Sequence, residues 1–218
     1  MAIVCRDHRL LFILAPHTAS TALAALLRER LAGEWLPQQE ITDGRGSIIV
    51  RRKHSTVAEL LEHGVLSNAE RAGLIAFSAV RNPFDVLVSL YLKHSLKDQD
   101  LLARPGAWIH RRQGKLAAME YARQHSFDQW IERQLSRPPR RPLMEHQQGV
   151  DVVLRYERLQ QDFDAFLIAR GLEPIEVPPR NVTHERRSRH YREFYVPATR
   201  ALVERAYAAS LERFDYSF

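Results

Sequence analysis

The stretch LLFILAPHTASTALAALL, residues 10–27, decides how the chain is read. Its apolar start reads as a buried strand that stops at Pro16. A polar turn follows, His17-Thr18-Ala19-Ser20-Thr21. From Ser20 onward, Leu23, Leu26, Leu27 and Leu31 recur at helical spacing. A strand, a hydroxyl-rich turn and a helix N-terminus in this order form a natural anion site. The first N–H groups of a helix lack partners inside it, and they carry the positive end of its dipole. Thr18, Ser20 and Thr21 add hydroxyls, and His17 adds a side chain that can become a cation. A helix merely capped by Ser20 or Thr21 fits the same residues. The stretch lacks the GxxxxGK[ST] pattern of a phosphate loop, which disfavours an ordinary ATPase.

Working outward, apolar runs alternate with helical patterns. SIIVRR (47–52) is a second strand candidate, and STVAELLEHGV (55–65) reads as a short helix stopped by Gly64. GLIAFSAV (73–80) is short and apolar enough for a buried parallel strand. Asn82 then suits an N-cap and Pro83 the first position of a helix through FDVLVSLYLKHSL. VDVVLRY (150–156) is another strand, and QQDFDAFLIARGL (160–172) a helix ended by Gly171. Residues 197–214 read as one closing helix with Pro197 at its start. Between them, 96–147 reads as an insertion of helices and loops. KDQDLLARPGAW within it looks like a loop, Phe127, Trp130, Ile131 and Leu135 mark one helical face, and SRPPRRP (136–142) excludes regular structure. The alternation predicts an α/β fold with a largely parallel sheet. Ligands of such sheets bind at the carboxyl ends of the strands, where both polar turns, 16–21 and 81–83, fall.

Composition narrows the function. The 218 residues fit one domain. A single cysteine, Cys5, excludes an internal disulfide framework and points to a reducing, cytoplasmic setting. No Cys/His cluster has zinc spacing, and no metal is expected. Residues 1–15 do not read as a signal peptide, and no run approaches a membrane span. The formal charge of +6, mostly arginine, suits an anionic ligand or a solvated basic surface.

A second constellation is VRNPFDVLVSLY (80–91). Arg81 stands where a strand ends, and Ser89 lies two turns into the adjoining helix, so the pair can grip one phosphate; Arg81 paired with Asp85, and Ser89 as a small residue in a helix contact, fit the same positions. Taken together, the two stretches resemble the sulfotransferases that use 3′-phosphoadenosine 5′-phosphosulfate, in particular the carbohydrate type related to nodulation-factor and Golgi enzymes. PHTAST (16–21) is similar to that family's P-K-T-G-[ST]-[ST] loop, which binds the 5′-phosphosulfate. VRNPFDVLVSLY is similar to its V-R-[ND]-P-x-[DE]-R-x-x-S-x-Y motif, whose Arg and Ser bind the 3′-phosphate. VVLRYERLQQDFDAFL resembles a later strand-helix unit often worded R-Y-E-x-L. The segment from NVTHERRSRHYREFYVPATR to the closing RFDYSF resembles the family's C-terminal ending. The resemblance spans nearly the whole chain.

It implies a P-loop nucleotide-kinase-like α/β fold: a parallel sheet flanked by helices, in a single domain over 1–218, with the helical and loop insertion at 96–147 on the acceptor side. It implies sulfuryl transfer to a hydroxyl or amine of a carbohydrate-like acceptor. Donor binding falls on Pro16, His17, Thr18, Ala19, Ser20, Thr21, Arg81 and Ser89, with Arg186 and Arg187 closing over the 3′-phosphate. The family lysine is His17 here and the family glycine is Ala19, so His17 must be protonated to replace the lysine's charge. A relative that binds the nucleotide but turns over weakly fits that departure too. The base that takes the acceptor proton falls on His54, in a K-H-x-[ST]-x-x-E-L stretch similar to one in carbohydrate-type relatives. His94, His110, His125 and His146 are alternatives, and a cap or surface role also fits His54. Trp108, Trp130 and Tyr121 are candidates for stacking on an acceptor sugar, and core packing fits Trp130 as well. A nucleotide kinase would need a loop lysine and a magnesium carboxylate. A nucleic-acid-binding module would need aromatics interleaved with the arginines, for which Tyr191, Phe194 and Tyr195 give faint support.

Overall fold

Leu10–Ile13 forms strand β2, and all four of its side chains are fully buried. Alternation sends Leu10 and Phe12 to one face of a sheet and Leu11 and Ile13 to the other. On the first face lie Leu23 and Leu27 of α1 (Ser20–Arg30) with Phe163, Phe166 and Leu167 of α8 (Leu159–Ile168). On the second lie Val57 and Leu60 of α2 (Val57–Glu62) with Leu66. A strand covered on both faces must be apolar throughout, which is why this run shows no alternation of polar and apolar residues.

The structure is a computed structural model that describes residues 2–50, 54–97, 99–111, 113–136, 145–178 and 189–218. The chain divides into two compact units, Met1–Arg81 with Met144–Asn181, and Asn82–Leu143 with Val182–Phe218. Among the described residues, no helix is long and apolar enough to cross a membrane.

The first unit holds a five-stranded sheet ordered β3 (Glu34–Leu36), β1 (Ala2–Cys5), β2, β6 (Ile75–Val80), β7 (Val152–Arg155). β2, β6 and β7 are parallel, and β1 runs antiparallel to both its neighbours. The mixed α/β architecture is thus the one the alternation predicts, with β1 reversed at one side. Asp151 fastens β7 to β6: its Oδ2 accepts from the Ala76 N–H at 2.7 Å and from Arg71 Nη2 at 3.0 Å. Burial pushes this carboxyl up, but those bonds and the charges of Arg71 and Arg170 outweigh it and hold its pKa below the ordinary value.

The strand expected over 47–52 is present as β5 (Ile48–Val50), yet it pairs with β4 (Ile41–Thr42) in a separate antiparallel ribbon. The Asp43 carboxylate explains the local pairing, since it accepts from the N–H groups of Arg45 and Ser47 and so folds the intervening turn. Helix α2 occupies the middle of the predicted 55–65 segment, with a capping box between Thr56 and Glu59. Gly64 follows at φ 66°, the left-handed conformation that lets the chain leave the helix. Helix α3 (Asn68–Ala72) was not expected; none of its residues is buried, so it writes no apolar stripe.

Among the described residues, the second unit is helical. α4 (Pro83–Leu92) has Asn82 as N-cap, its Oδ1 accepting from the Phe84 N–H at 3.1 Å, as the sequence predicts. A π-helical turn, Lys93–Lys97, continues it. α5 (Gln99–Ala103) replaces the expected loop, and α6 (Gln113–Gln124) and α7 (Phe127–Leu135) follow. Phe127, Trp130 and Ile131 of α7 are buried with Phe84, Leu87 and Val88 of α4, as their helical spacing implies. The closing segment is two helices, α9 (Pro197–Ala206) and α10 (Ala208–Arg213), rather than one. The break falls at Tyr207, whose backbone leaves the helical conformation while its ring enters this core. No glycine or proline marks it in the sequence. SRPPRRP, apart from Ser136, lies outside the described residues.

Candidate active site

β2 and β6 are parallel neighbours, so their carboxyl ends, at Ile13 and Val80, lie side by side. The chain leaving β2 passes through Leu14, Ala15 and Pro16 into the turn that opens α1. The turn takes an unusual path: His17 has φ 63° and Ala19 φ 57°. Thr18, buried between them, donates its hydroxyl proton to the Ala15 carbonyl at 3.0 Å, so that hydroxyl fastens the turn. Ala22 and Leu23 both donate back to the Ala19 carbonyl. The N–H groups of Ser20 and Thr21, the two residues just before them, therefore lie at the open end of α1, where an anion is favoured. Ser20 is buried and Thr21 exposed. No side chain caps this N-terminus, so the capping role open to Ser20 or Thr21 from the sequence is not the one adopted.

Ala19 sits where the resembling family places glycine, and its backbone adopts the conformation glycine favours. A β-carbon there costs roughly 1–2 kcal/mol. Ala19→Gly should relieve this strain but pay back roughly 0.5–1 kcal/mol of chain entropy. The expected result is a small net gain in stability, read as a higher urea midpoint. A lower midpoint would mean that the Ala19 methyl contributes more by packing against the sheet-side core than its backbone costs.

Arg81 continues β6 and is almost wholly buried. Its Nη1 donates to the His17 carbonyl at 3.0 Å, and its guanidinium lies 4.0 Å over the centre of the Tyr156 ring. Tyr156 follows the end of β7, the next parallel strand. One cation is thus held between a turn carbonyl and an aromatic face, beside the open helix N-terminus. Burying an arginine costs solvation unless its donors and its face are used.

His54 completes the group. Its Nδ1 lies 2.9 Å from the Leu14 carbonyl, at the exit of β2. A carbonyl can only accept, so Nδ1 carries the proton and Nε2 carries the lone pair of the neutral ring. His54 also has φ 62°. His17, Ala19 and His54 are three of six non-glycine residues with positive φ among those described. Such strain gathers where function over-determines the backbone.

The structure therefore brings Pro16, His17, Thr18, Ala19, Ser20, Thr21, Arg81 and His54 into one unit, around the carboxyl ends of β2 and β6. Ser89 lies half-buried on α4 of the second unit. Arg186 and Arg187 lie outside the described residues. Trp130 is fully buried among Phe84, Phe127 and Ile131, so it is core and not a platform for a sugar. Tyr121 stacks on His125 at 3.7 Å, and the Trp108 side chain is outside the described set. Tyr156 escaped sequence reasoning as a site residue, though an aromatic just past a third parallel strand end was its signal. Among the described residues, no three His, Cys, Asp or Glu side chains gather in a way that could hold a metal ion.

Searches of curated proteins and of solved structures return no match. The model of the sulfotransferase family matches residues 1–217, all but the last residue of the chain. A match of that extent, over a sheet whose strand ends carry an open helix N-terminus, a buried arginine and an oriented histidine, places the protein in the sulfotransferase family.

Proposed function

We propose that the protein moves a sulfuryl group from 3′-phosphoadenosine 5′-phosphosulfate to a hydroxyl or amine of a carbohydrate-like acceptor. The observation that carries this reading is the 3.0 Å bond from Arg81 to the His17 carbonyl, because it joins the two anion-binding stretches in one place. The residues present suit such a donor. The N–H groups of Ser20 and Thr21 favour the 5′-phosphosulfate, and the Arg81 guanidinium favours a further phosphate. Ser89, Arg186 and Arg187 are assigned to the 3′-phosphate by resemblance to the family motifs. The insertion at 96–147 is assigned to the acceptor side on the same ground.

In the reaction, an acceptor oxygen or nitrogen attacks sulfur and loses its proton to His54 Nε2. The bond from sulfur to the 5′-phosphate oxygen breaks, and its electron pair leaves on the bisphosphate nucleotide. Charge grows on that oxygen, where helix N–H groups and a protonated His17 stabilise it. Calorimetric titration tests the donor assignment. Adenosine 3′,5′-bisphosphate should bind more tightly than AMP, and equal affinities would overturn the assignment.

His17 gives the reading a pH signature. If its imidazolium does the work of the family lysine, activity falls as pH rises through its titration, in a limb separate from the rise due to the base. His17→Lys should keep activity and move the falling limb upward, since lysine titrates near 10.4 when unperturbed. His17→Gln keeps a donor without a charge, so it should bind the nucleotide and turn over slowly. One shared pH–rate profile for all three would reduce His17 to a turn residue.

A further inference from the structure

The geometry that orients His54 is itself held from a distant part of the chain. His54 lies at φ 62°, a conformation that a β-carbon disfavours and that persists only where the surroundings hold it. Nδ1 fixes the ring to Leu14. The peptide is gripped separately: His146 Nε2 donates to the His54 carbonyl at 3.0 Å. The two rings also meet edge to face, 5.9 Å apart at 89°, so His146 walls one side of the His54 ring.

His146 can act as a fixed anchor because its own element is tied down. It lies in the single turn Glu145–Gln147, and it is 5% exposed. The next residue, Gln147, donates from Nε2 to the Ala79 carbonyl at 2.7 Å, near the carboxyl end of β6. Two adjacent side chains of one turn therefore reach two places, the β6 end and the His54 peptide. The carboxyl end of β6 and the base are in this way set in register. Without the His146 bond, the His54 peptide would lose a contact that opposes its relaxation to an ordinary φ. Relaxation would swing the ring and pull Nδ1 from Leu14.

We propose that His146 is a positioning residue. Its Nε2–H holds the His54 peptide in the left-handed conformation and so keeps the Nε2 lone pair of His54 aimed for proton uptake. This rests on His54 being the base in the function proposed above. The test uses the full chain with His146→Leu and His146→Gln, whose amide N–H can still reach the His54 carbonyl. Turnover is read as release of adenosine 3′,5′-bisphosphate from the phosphosulfate with water as acceptor. Nucleotide affinity is read by calorimetry, and the His54 tautomer from long-range ¹H–¹⁵N spectra. His146→Leu should lose roughly 10- to 100-fold in turnover, the scale of a misplaced reacting group. It should keep its affinity for the bisphosphate and no longer show a single Nδ1–H tautomer at His54. His146→Gln should recover most of both. Should the leucine variant not fold, His146→Asn, whose shorter amide falls short of the carbonyl, should give the same loss.

Wild-type turnover in the leucine and asparagine variants would overturn the proposal. So would a parallel loss of turnover and nucleotide affinity, or a glutamine variant as slow as leucine. The two layers fail differently. An unaltered His54 tautomer in His146→Leu, with His54→Ala inactive, overturns the positioning role alone. A released His54 ring with His54→Ala fully active overturns the base assignment and this inference with it.

Discussion

Replacing His54 by alanine should lower turnover by a factor on the order of 100 to 10,000 while affinity for adenosine 3′,5′-bisphosphate stays near wild type. The size is that of losing the proton acceptor proposed at His54, whose Nδ1 is engaged by the Leu14 carbonyl. Alanine keeps the β-carbon, so the strain at φ 62° is unchanged and the backbone gains no new freedom. The bond to the Leu14 carbonyl that alanine removes contributes about 1 kcal/mol. A drop in turnover far above that scale therefore reports chemistry rather than folding. The measurement is single-turnover release of the bisphosphate product alongside calorimetry. If nucleotide affinity collapses instead, His54 belongs to the donor pocket and another group takes the proton.

Arg81→Ala should show the opposite split. Binding of the bisphosphate nucleotide should weaken by roughly 1.5–3 kcal/mol, the range for hydrogen bonds to charged groups, which is roughly 10- to 150-fold in Kd. Two losses add here. In the proposed function the guanidinium no longer meets phosphate, and the His17 carbonyl loses the Arg81 bond, which loosens the turn that presents Ser20 and Thr21. Arg81→Lys should not restore full affinity, because an ammonium cannot bridge the carbonyl and a phosphate while lying flat on Tyr156. The discriminating comparison is AMP. Loss of preference for the bisphosphate over AMP marks Arg81 as a reader of the second phosphate. An equal loss for both nucleotides marks it as a brace for the turn.

The elements that the sequence announced share one property, an apolar pattern with a local cause. The run at 10–13 was legible because burial on both faces permits no polar residue. Asn82 and Pro83 declared a helix start because their chemistry is satisfied within one turn. Gly64 declared a stop for the same reason. The elements that escaped lacked such a pattern. β3 is a three-residue strand at the edge of the sheet, partly exposed, and its pairing with β1 is a property of the sheet, not of Glu34-Trp35-Leu36. β1 pairs with β2 across the polar stretch Arg6–Arg9, which carries no hairpin dipeptide. β5 looked like a sheet strand from its residues, and only the turn held by Asp43 sent it to a separate ribbon.

The site divides along the same line. The sequence by itself determined which residues flank the strand ends: the polar turn after Pro16, the arginine after Val80, the histidine ahead of α2. Each is local, and residue type with position in a strand-turn-helix unit is enough to mark it. The tertiary structure decided how they act together. Parallel pairing of β2 with β6 set two turns, about 64 residues apart, against each other so that Arg81 could bond His17. The third strand end put Tyr156 under the guanidinium. A turn 92 residues beyond His54 supplied the donor that grips its peptide. No periodicity or spacing encodes those contacts, because they exist only once separate strands are packed into one sheet. Left-handed backbone at His17 and His54 is likewise invisible in the residue types, since Arg81 and His146 grip those two carbonyls from elsewhere in the chain.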